Sequence, residues 1–105
     1  MDDVLILENG VVCAHERHEK KLDWDDARLY CSLLIIDGYD DWRMPTLQEL
    51  KCINHILSND CYYWSVDCKD DNVCVQYVNE RASIRHQTYQ YKSNQYFVRP
   101  VRSSI

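Results

Sequence analysis

The sequence predicts an α+β fold: a β-hairpin, two helices, then several strands. Three observations lead there. An Asn-Gly pair sits between two short apolar runs near the start, two segments repeat apolar residues at helical spacing, and the second half alternates β-branched and aromatic residues with polar ones. The chain has 105 residues, the size of one domain (1–105), and 46% of them are apolar, which is enough for a single core. Three Trp and eight Tyr argue against disorder, because they supply area to offset chain entropy. With only two Gly and two Pro, the turns must draw on Asn, Asp and Ser.

The elements follow in order. Leu5-Ile6-Leu7 and Val11-Val12-Cys13 flank Asn9-Gly10, a pair suited to the two positive-φ positions of a type I′ turn. His15 to Lys21 reads as a polar, solvated connection, with His15 and His18 weighed against it as a metal pair. The first helix is expected from Trp24 to Ile36. Asp23 is its N-cap, Asp25 and Asp26 sit in the positive first turn, and Ala27, Tyr30, Cys31, Leu34 and Ile35 form the buried stripe. Gly38 suits its stop.

Asp37-Gly38-Tyr39-Asp40-Asp41 is a carboxylate-rich turn without EF-hand spacing. The second helix begins at Pro45. Thr46 and Glu49 make a capping box, Leu47, Leu50, Ile53 and Leu57 form its apolar face, and Ser58-Asn59-Asp60 ends it. Tyr62 to Val66 is an aromatic strand, Asp67 to Asn72 a charged turn, Val73 to Val78 a second strand, and Ala82 to His86 a weaker one after a turn at Asn79-Glu80-Arg81. Gln87 to Gln95 reads as a long polar loop. Tyr96 to Val101 closes the fold, with Pro100 marking an edge or a strand end.

Composition bounds function. The net charge is −5, from 12 basic and 17 acidic residues, which opposes direct binding to nucleic acid or to an anionic membrane. No window approaches the apolar length of a membrane span, and the opening residues lack a secretory leader. If Met1 is the native start, the protein is expected in the cytosol. The six cysteines (13, 31, 52, 61, 68 and 74) are then expected as reduced thiols, with disulfides or zinc as the alternatives. No metal or other cofactor is expected.

One set of residues carries a resemblance. Trp24-x-x-Ala27-x-x-x-Cys31, Gly38-Tyr39-Asp40-Asp41-Trp42-Arg43-Met44-Pro45-Thr46-Leu47-Gln48-Glu49-Leu50, Tyr63-Trp64-Ser65 and Val98-Arg99-Pro100-Val101-Arg102 together resemble the Lcl C-terminal domain family. These are bacterial and phage domains of mostly unassigned function. The resemblance implies a C-type-lectin-like, sulfatase-modifying-factor-like fold: two helices packed on a small twisted, mostly antiparallel sheet in which the chain ends meet. The motif residues Trp24, Trp42, Arg43, Pro45, Thr46, Glu49, Trp64 and Arg99 read as structural: an aromatic anchor, a guanidinium fork, a stiff turn and a cap. Family members often carry a cysteine where this chain has Pro100, which leaves Cys31 without the partner the family would give it. The Glu-Pro-Asn and Trp-Asn-Asp calcium signatures are absent.

No coupled acid–base or nucleophile motif stands out, so no catalytic residue is expected. The leading expectation is a non-catalytic intracellular module that binds a protein with a basic surface. Tyr39, Tyr62, Tyr89 and Tyr91 would supply contact area, rimmed by Asp37, Asp40, Asp70 and Asp71. A phage or mobile-element inhibitor of a host nucleic-acid-handling or defence complex would fit that description. The alternative is a surface-exposed glycan-binding or adhesin module, favoured by an upstream signal or stalk or by disulfides; sulfated glycans would suit it only if Arg81, Arg85, Arg99 and Arg102 share one face. A redox- or zinc-sensitive switch at Cys61, Cys68 and Cys74 is a third reading.

Overall fold

The computed structural model describes residues 4–6, 10–53, 56–57, 62–69, 72–79 and 84–103. The expected helix end at 58–60, the acids Asp70 and Asp71, and Arg81 lie outside the described residues, as do the side chains of Cys61, Cys68, Cys74 and Arg85. The fold is α+β, with two helices and two sheets. Strands β1 (Val4–Ile6), β2 (Val11–Ala14) and β8 (Val101–Ser103) form an antiparallel sheet in the order β1-β2-β8. The second sheet holds β3 (Lys20–Leu22), β4 (Tyr62–Lys69), β5 (Asn72–Asn79), β6 (Ile84–Tyr91) and β7 (Tyr96–Val98) in the order β3-β7-β4-β5-β6. Its pairings are antiparallel except β4 with β7.

The first two strands pair as an antiparallel hairpin, with Leu5 opposite Cys13 and Gly10 at φ 80; that register is one residue off what a two-residue Asn9-Gly10 turn would impose, and Leu7 and Asn9 lie outside the described residues. The closing strand divides: Arg99-Pro100 carries the chain from β7 in one sheet to β8 in the other, so Pro100, which has no amide to donate, stands where neither ladder needs one. The polar connection after β2 is more than a loop. A 3-10 turn (Glu16–His18) leads into β3, which pairs with β7, Lys21 opposite Phe97. The loop expected over 87–95 is also corrected. Residues 84–91 pair along their whole length with β5, and only Lys92 to Gln95 turn. Polar Gln, Thr and Tyr suit such an outer strand, whose second edge meets no described strand.

Helix α1 (Trp24–Leu33) is capped by Asp23, whose carboxylate accepts from the Asp26 amide at 2.8 Å. It stops three residues before the expected end. Ile35-Ile36 is a poor helix continuation, and Ile36 pairs with Tyr39 in both directions (3.1 and 3.0 Å) around Asp37 (φ 55) and Gly38 (φ 82). Two positive φ angles in succession are what a type I′ turn requires, so Asp37-Gly38 closes a miniature hairpin rather than a helix end. Ile35 is accordingly exposed rather than part of the buried stripe.

Helix α2 (Leu47–Ile53) has the expected capping box. The Glu49 amide donates to Thr46 Oγ1 at 3.1 Å, and the Thr46 amide donates to Glu49 Oε1 at 2.9 Å. Strand β4 runs past the expected turn, and its register against β5 shifts between Trp64 and Cys68. The bulged segment turns its polar groups outward to both helices. Trp24 Nε1 donates to the Ser65 carbonyl (2.9 Å), the Val66 amide donates to the Pro45 carbonyl (2.9 Å), and the Leu47 amide donates to Asp67 Oδ2 (2.8 Å). Asp67 is therefore a second cap for α2.

The core lies on both faces of the larger sheet. Trp24, Ala27, Cys31, Met44, Trp64, Val73, Val75 and Val98 are buried together on the α1 side. Tyr63, Leu50, Ile53, Leu57, Val11, Cys13 and Val101 are buried on the α2 side. Trp42 sits with Val12, Ala14 and Ile36 in a third cluster, its indole N–H donating to the Tyr39 carbonyl at 3.1 Å.

Candidate functional site

Among the described residues, those expected to bind lie on separate elements. Asp37, Tyr39 and Asp40 are exposed on the miniature hairpin after α1. The Arg102 guanidinium lies over the Tyr39 ring, 3.8 Å from its centroid, and forks onto Asp41 at 2.6 and 3.1 Å. That hydrogen-bonded fork holds the Asp41 carboxyl below its usual range. Asp41 is thus offset by Arg102, and Asp37 and Asp40 are left as the acids of this loop. Tyr62 is corrected from a surface candidate to a half-buried one. It points to the same side as Trp64, two residues on, and packs against Tyr96 with ring centroids 5.0 Å apart.

Tyr89 and Tyr91 are exposed on β6. Their neighbours Thr88 and Gln90 are in register with the buried Val75 and Val73, so the two tyrosines take the opposite face. No hydrogen bond, ion pair or ring contact among the described residues links these tyrosines to the Asp37–Asp40 loop.

The motif residues form an elbow that joins the two halves of the fold. Arg43 pairs with Val101 of β8 through its amide (2.8 Å) and carbonyl (2.9 Å). Its guanidinium forks onto Glu49 at 2.6 and 2.8 Å and also donates to Ser103 Oγ at 3.0 Å. Burial raises the Glu49 carboxyl, but the hydrogen bonds from Arg43 and Thr46 and the charge of Arg43 outweigh it and hold it below its usual value. Pro45 is fully buried, and the Trp64 indole donates to the Leu22 carbonyl at 2.7 Å.

Arg99 is only 2% exposed and its partner Glu19 4%, with Nη1 and Oε1 2.9 Å apart. Tyr63 Oη donates to both Glu19 oxygens (2.9 and 3.0 Å), and Arg99 Nε donates to the Ala14 carbonyl. This buried pair was not legible, because Glu19 lies in a charged stretch whose sequence offers no sign of burial. It also removes Arg99 from any basic surface patch.

Sequence reasoning missed a second feature, the outer face of α1. Leu29, Leu33 and Ile35 are 55%, 71% and 69% exposed. Beside Leu29 lies a shallow depression of about 360 Å³ lined by Asp25, Arg28, Leu29 and Ser32. The signal was present: Leu29 and Leu33 fall on the side of the helix opposite Ala27 and Cys31, so the helix carries more apolar residues than its buried stripe accommodates.

The Lcl C-terminal domain family model matches residues 8–102. This chain belongs to the Lcl C-terminal domain family. The match takes in the Arg43–Glu49 elbow, both helices, β2 to β7 and the first two residues of β8. Among curated proteins nothing matches.

In this Lcl C-terminal domain Cys13, Cys31 and Cys52 are free thiols. Burial pushes Cys13 up to about 11 and Cys31 up to about 12, which keeps both protonated and unreactive at neutral pH. Cys52 is exposed on α2. No group of three or more His, Cys, Asp or Glu that could hold a metal occurs among the described residues, and no described helix is long and apolar enough to cross a membrane.

Proposed function

We propose that this Lcl C-terminal domain is a non-catalytic protein-binding module whose partner presents a basic surface. One observation carries the reading: Leu29 and Leu33 on α1 and Ile35 and Tyr39 in the segment that follows it are large and exposed, in a stretch that also holds the exposed acids Asp25, Asp26, Asp37 and Asp40. Apolar groups ringed by polar ones are the anatomy of an interface, and the acids would steer a cationic partner. Three titratable groups among the described residues are engaged or inert, which supports the non-catalytic reading. Glu19 is held by Arg99 and Tyr63, and the Cys13 and Cys31 thiols are buried and protonated.

A protein that otherwise holds nucleic acid offers the required basic surface, which supports the finer proposal of a phage or mobile-element inhibitor acting in the cytosol. The free thiols agree with a reducing compartment. Pairing of β2 with β8 in one sheet agrees with the proposed C-type-lectin-like relation. Glycan binding through a shared arginine face gains no support, since Arg99 is buried and Arg102 is engaged by Asp41.

The test is photo-crosslinking in the native host from single positions 33, 39 and 91. The reading expects one discrete protein adduct from positions 33 and 39. The absence of a discrete adduct at all three positions would overturn it.

A further inference from the structure

The face of α1 turned away from the sheet has a shape that selects its occupant. Asp25, Arg28, Leu29 and Ser32 line the depression, and they stand at i, i+3, i+4 and i+7. Four residues at that spacing form the hole that receives one side chain of a facing helix. Leu29 and Leu33, one turn apart, continue as a ridge beside the hole.

The charges along this ridge select further. Asp25 and Asp26 lie at one end, Asp37 and Asp40 beyond the other, all exposed. The last turn of α1 holds no basic residue. The nearby cations are engaged: Arg28, which also lines the hole, and Lys92 lie over Trp24 (5.8 and 4.6 Å), Lys20 lies over Tyr30 (5.7 Å), and Arg102 lies over Tyr39 and is paired with Asp41. A second copy of the chain is a poor occupant. Antiparallel self-pairing would set Asp25 and Asp26 of one copy against Asp37 of the other, and parallel pairing would align like with like.

We infer that the outer face of α1 docks a cationic amphipathic helix, its apolar stripe on Leu29 and Leu33 and its lysines or arginines at the two acidic ends. This rests on the protein-binding reading and names the partner element. It places recognition on α1 rather than on the tyrosines of β6.

The probe is a synthetic peptide of about 18 residues, Leu and Lys only, with Leu at helical spacing. Its controls are a shuffled peptide of the same composition and a Leu/Glu counterpart. Binding to the full chain is followed by fluorescence anisotropy at about 0.15 M salt, and the surface is located by amide chemical shifts.

The amphipathic Leu/Lys peptide is expected to bind with shifts centred on α1. The shuffled peptide should bind about tenfold more weakly, and the Leu/Glu peptide should not bind. Leu29→Gln/Leu33→Gln, which keeps good helix formers on an exposed face, should weaken binding about tenfold. Asp25→Asn/Asp26→Asn should weaken it severalfold and flatten its salt dependence. Tyr89→Ala/Tyr91→Ala should leave it unchanged.

Equal affinity for the shuffled peptide, or full affinity in Leu29→Gln/Leu33→Gln, overturns the inference. So does a dimer of the free protein that those substitutions dissolve. If crosslinking captures a partner whose binding survives Leu29→Gln/Leu33→Gln, this inference fails and the protein-binding reading stands. If the peptide binds α1 but crosslinking captures nothing, the reading fails instead.

Discussion

Replacing Glu19 by Gln tests how the two sheets are held together. The substitution keeps the shape but leaves the Arg99 guanidinium, 2% exposed, without a counter-charge. Two charge-assisted contacts weaken at once: the 2.9 Å pair with Arg99 and the bonds of 2.9 and 3.0 Å from Tyr63. Breaking one side of a buried pair costs about 3–5 kcal/mol. Since a domain of this size has roughly 5–15 kcal/mol in all, the variant should lose about a fifth or more of its stability. At roughly 4–8 °C per kcal/mol, a loss of about 3 kcal/mol lowers Tm by roughly 12–24 °C.

Urea unfolding followed by the fluorescence of Trp24, Trp42 and Trp64, all buried, reads this directly. The same logic predicts recovery. In a Tyr63→Phe background, Glu19→Leu with Arg99→Met should regain most of the loss, because well-packed apolar groups replace a buried pair at little cost. A loss under about 1 kcal/mol for Glu19→Gln, or a double variant as unstable as the two single losses summed, would refute the reasoning.

Three further predictions concern the elbow, the turn and the thiols. Glu49→Gln should cost about 1–3 kcal/mol at neutral pH. Because the folded carboxyl titrates below its ordinary 4.5, that contribution is complete above 4.5 and fades as pH falls through the lowered value, so wild-type and variant unfolding curves should converge in acid. Gly38→Ala should cost about 1–2 kcal/mol in thermal unfolding from its φ of 82 alone, since an added Cβ would meet nothing within 4 Å. At pH 8, maleimide should label Cys52 in the native protein and reach Cys13 and Cys31 only on unfolding, as peptide mass mapping would show.

What could be read from the sequence was local. Asp23 capping α1 and the Thr46–Glu49 box each span four residues or fewer, so their hydrogen bonds are encoded in spacing alone. The stripe of Leu50, Ile53 and Leu57 was equally plain. What failed depends on distant partners. Lys20–Leu22 becomes a strand only because Tyr96–Val98 lies beside it, and Glu19 is buried only because Arg99 arrives 80 residues later.

The β6 segment is polar because just one of its edges meets a described strand, and that polarity reads as a loop. Asp37-Gly38 carried the hairpin signal, yet its neighbour Ile35-Ile36 looked like more helix and hid it. The candidate site suffered most. Tyrosine is the commoner interface residue, so sequence alone points to Tyr62, which is half-buried against Tyr96, and not to the exposed Leu29 and Leu33.

Hydroxyl-radical footprinting of the free protein and of its crosslinked host complex most directly addresses whether α1 is where recognition occurs. The account predicts that Leu29, Leu33, Ile35 and Tyr39 oxidise readily in the free chain and are protected in the complex, while Tyr89 and Tyr91 oxidise alike in both. Unchanged oxidation at the leucines, with protection confined to Tyr89 and Tyr91, would contradict it.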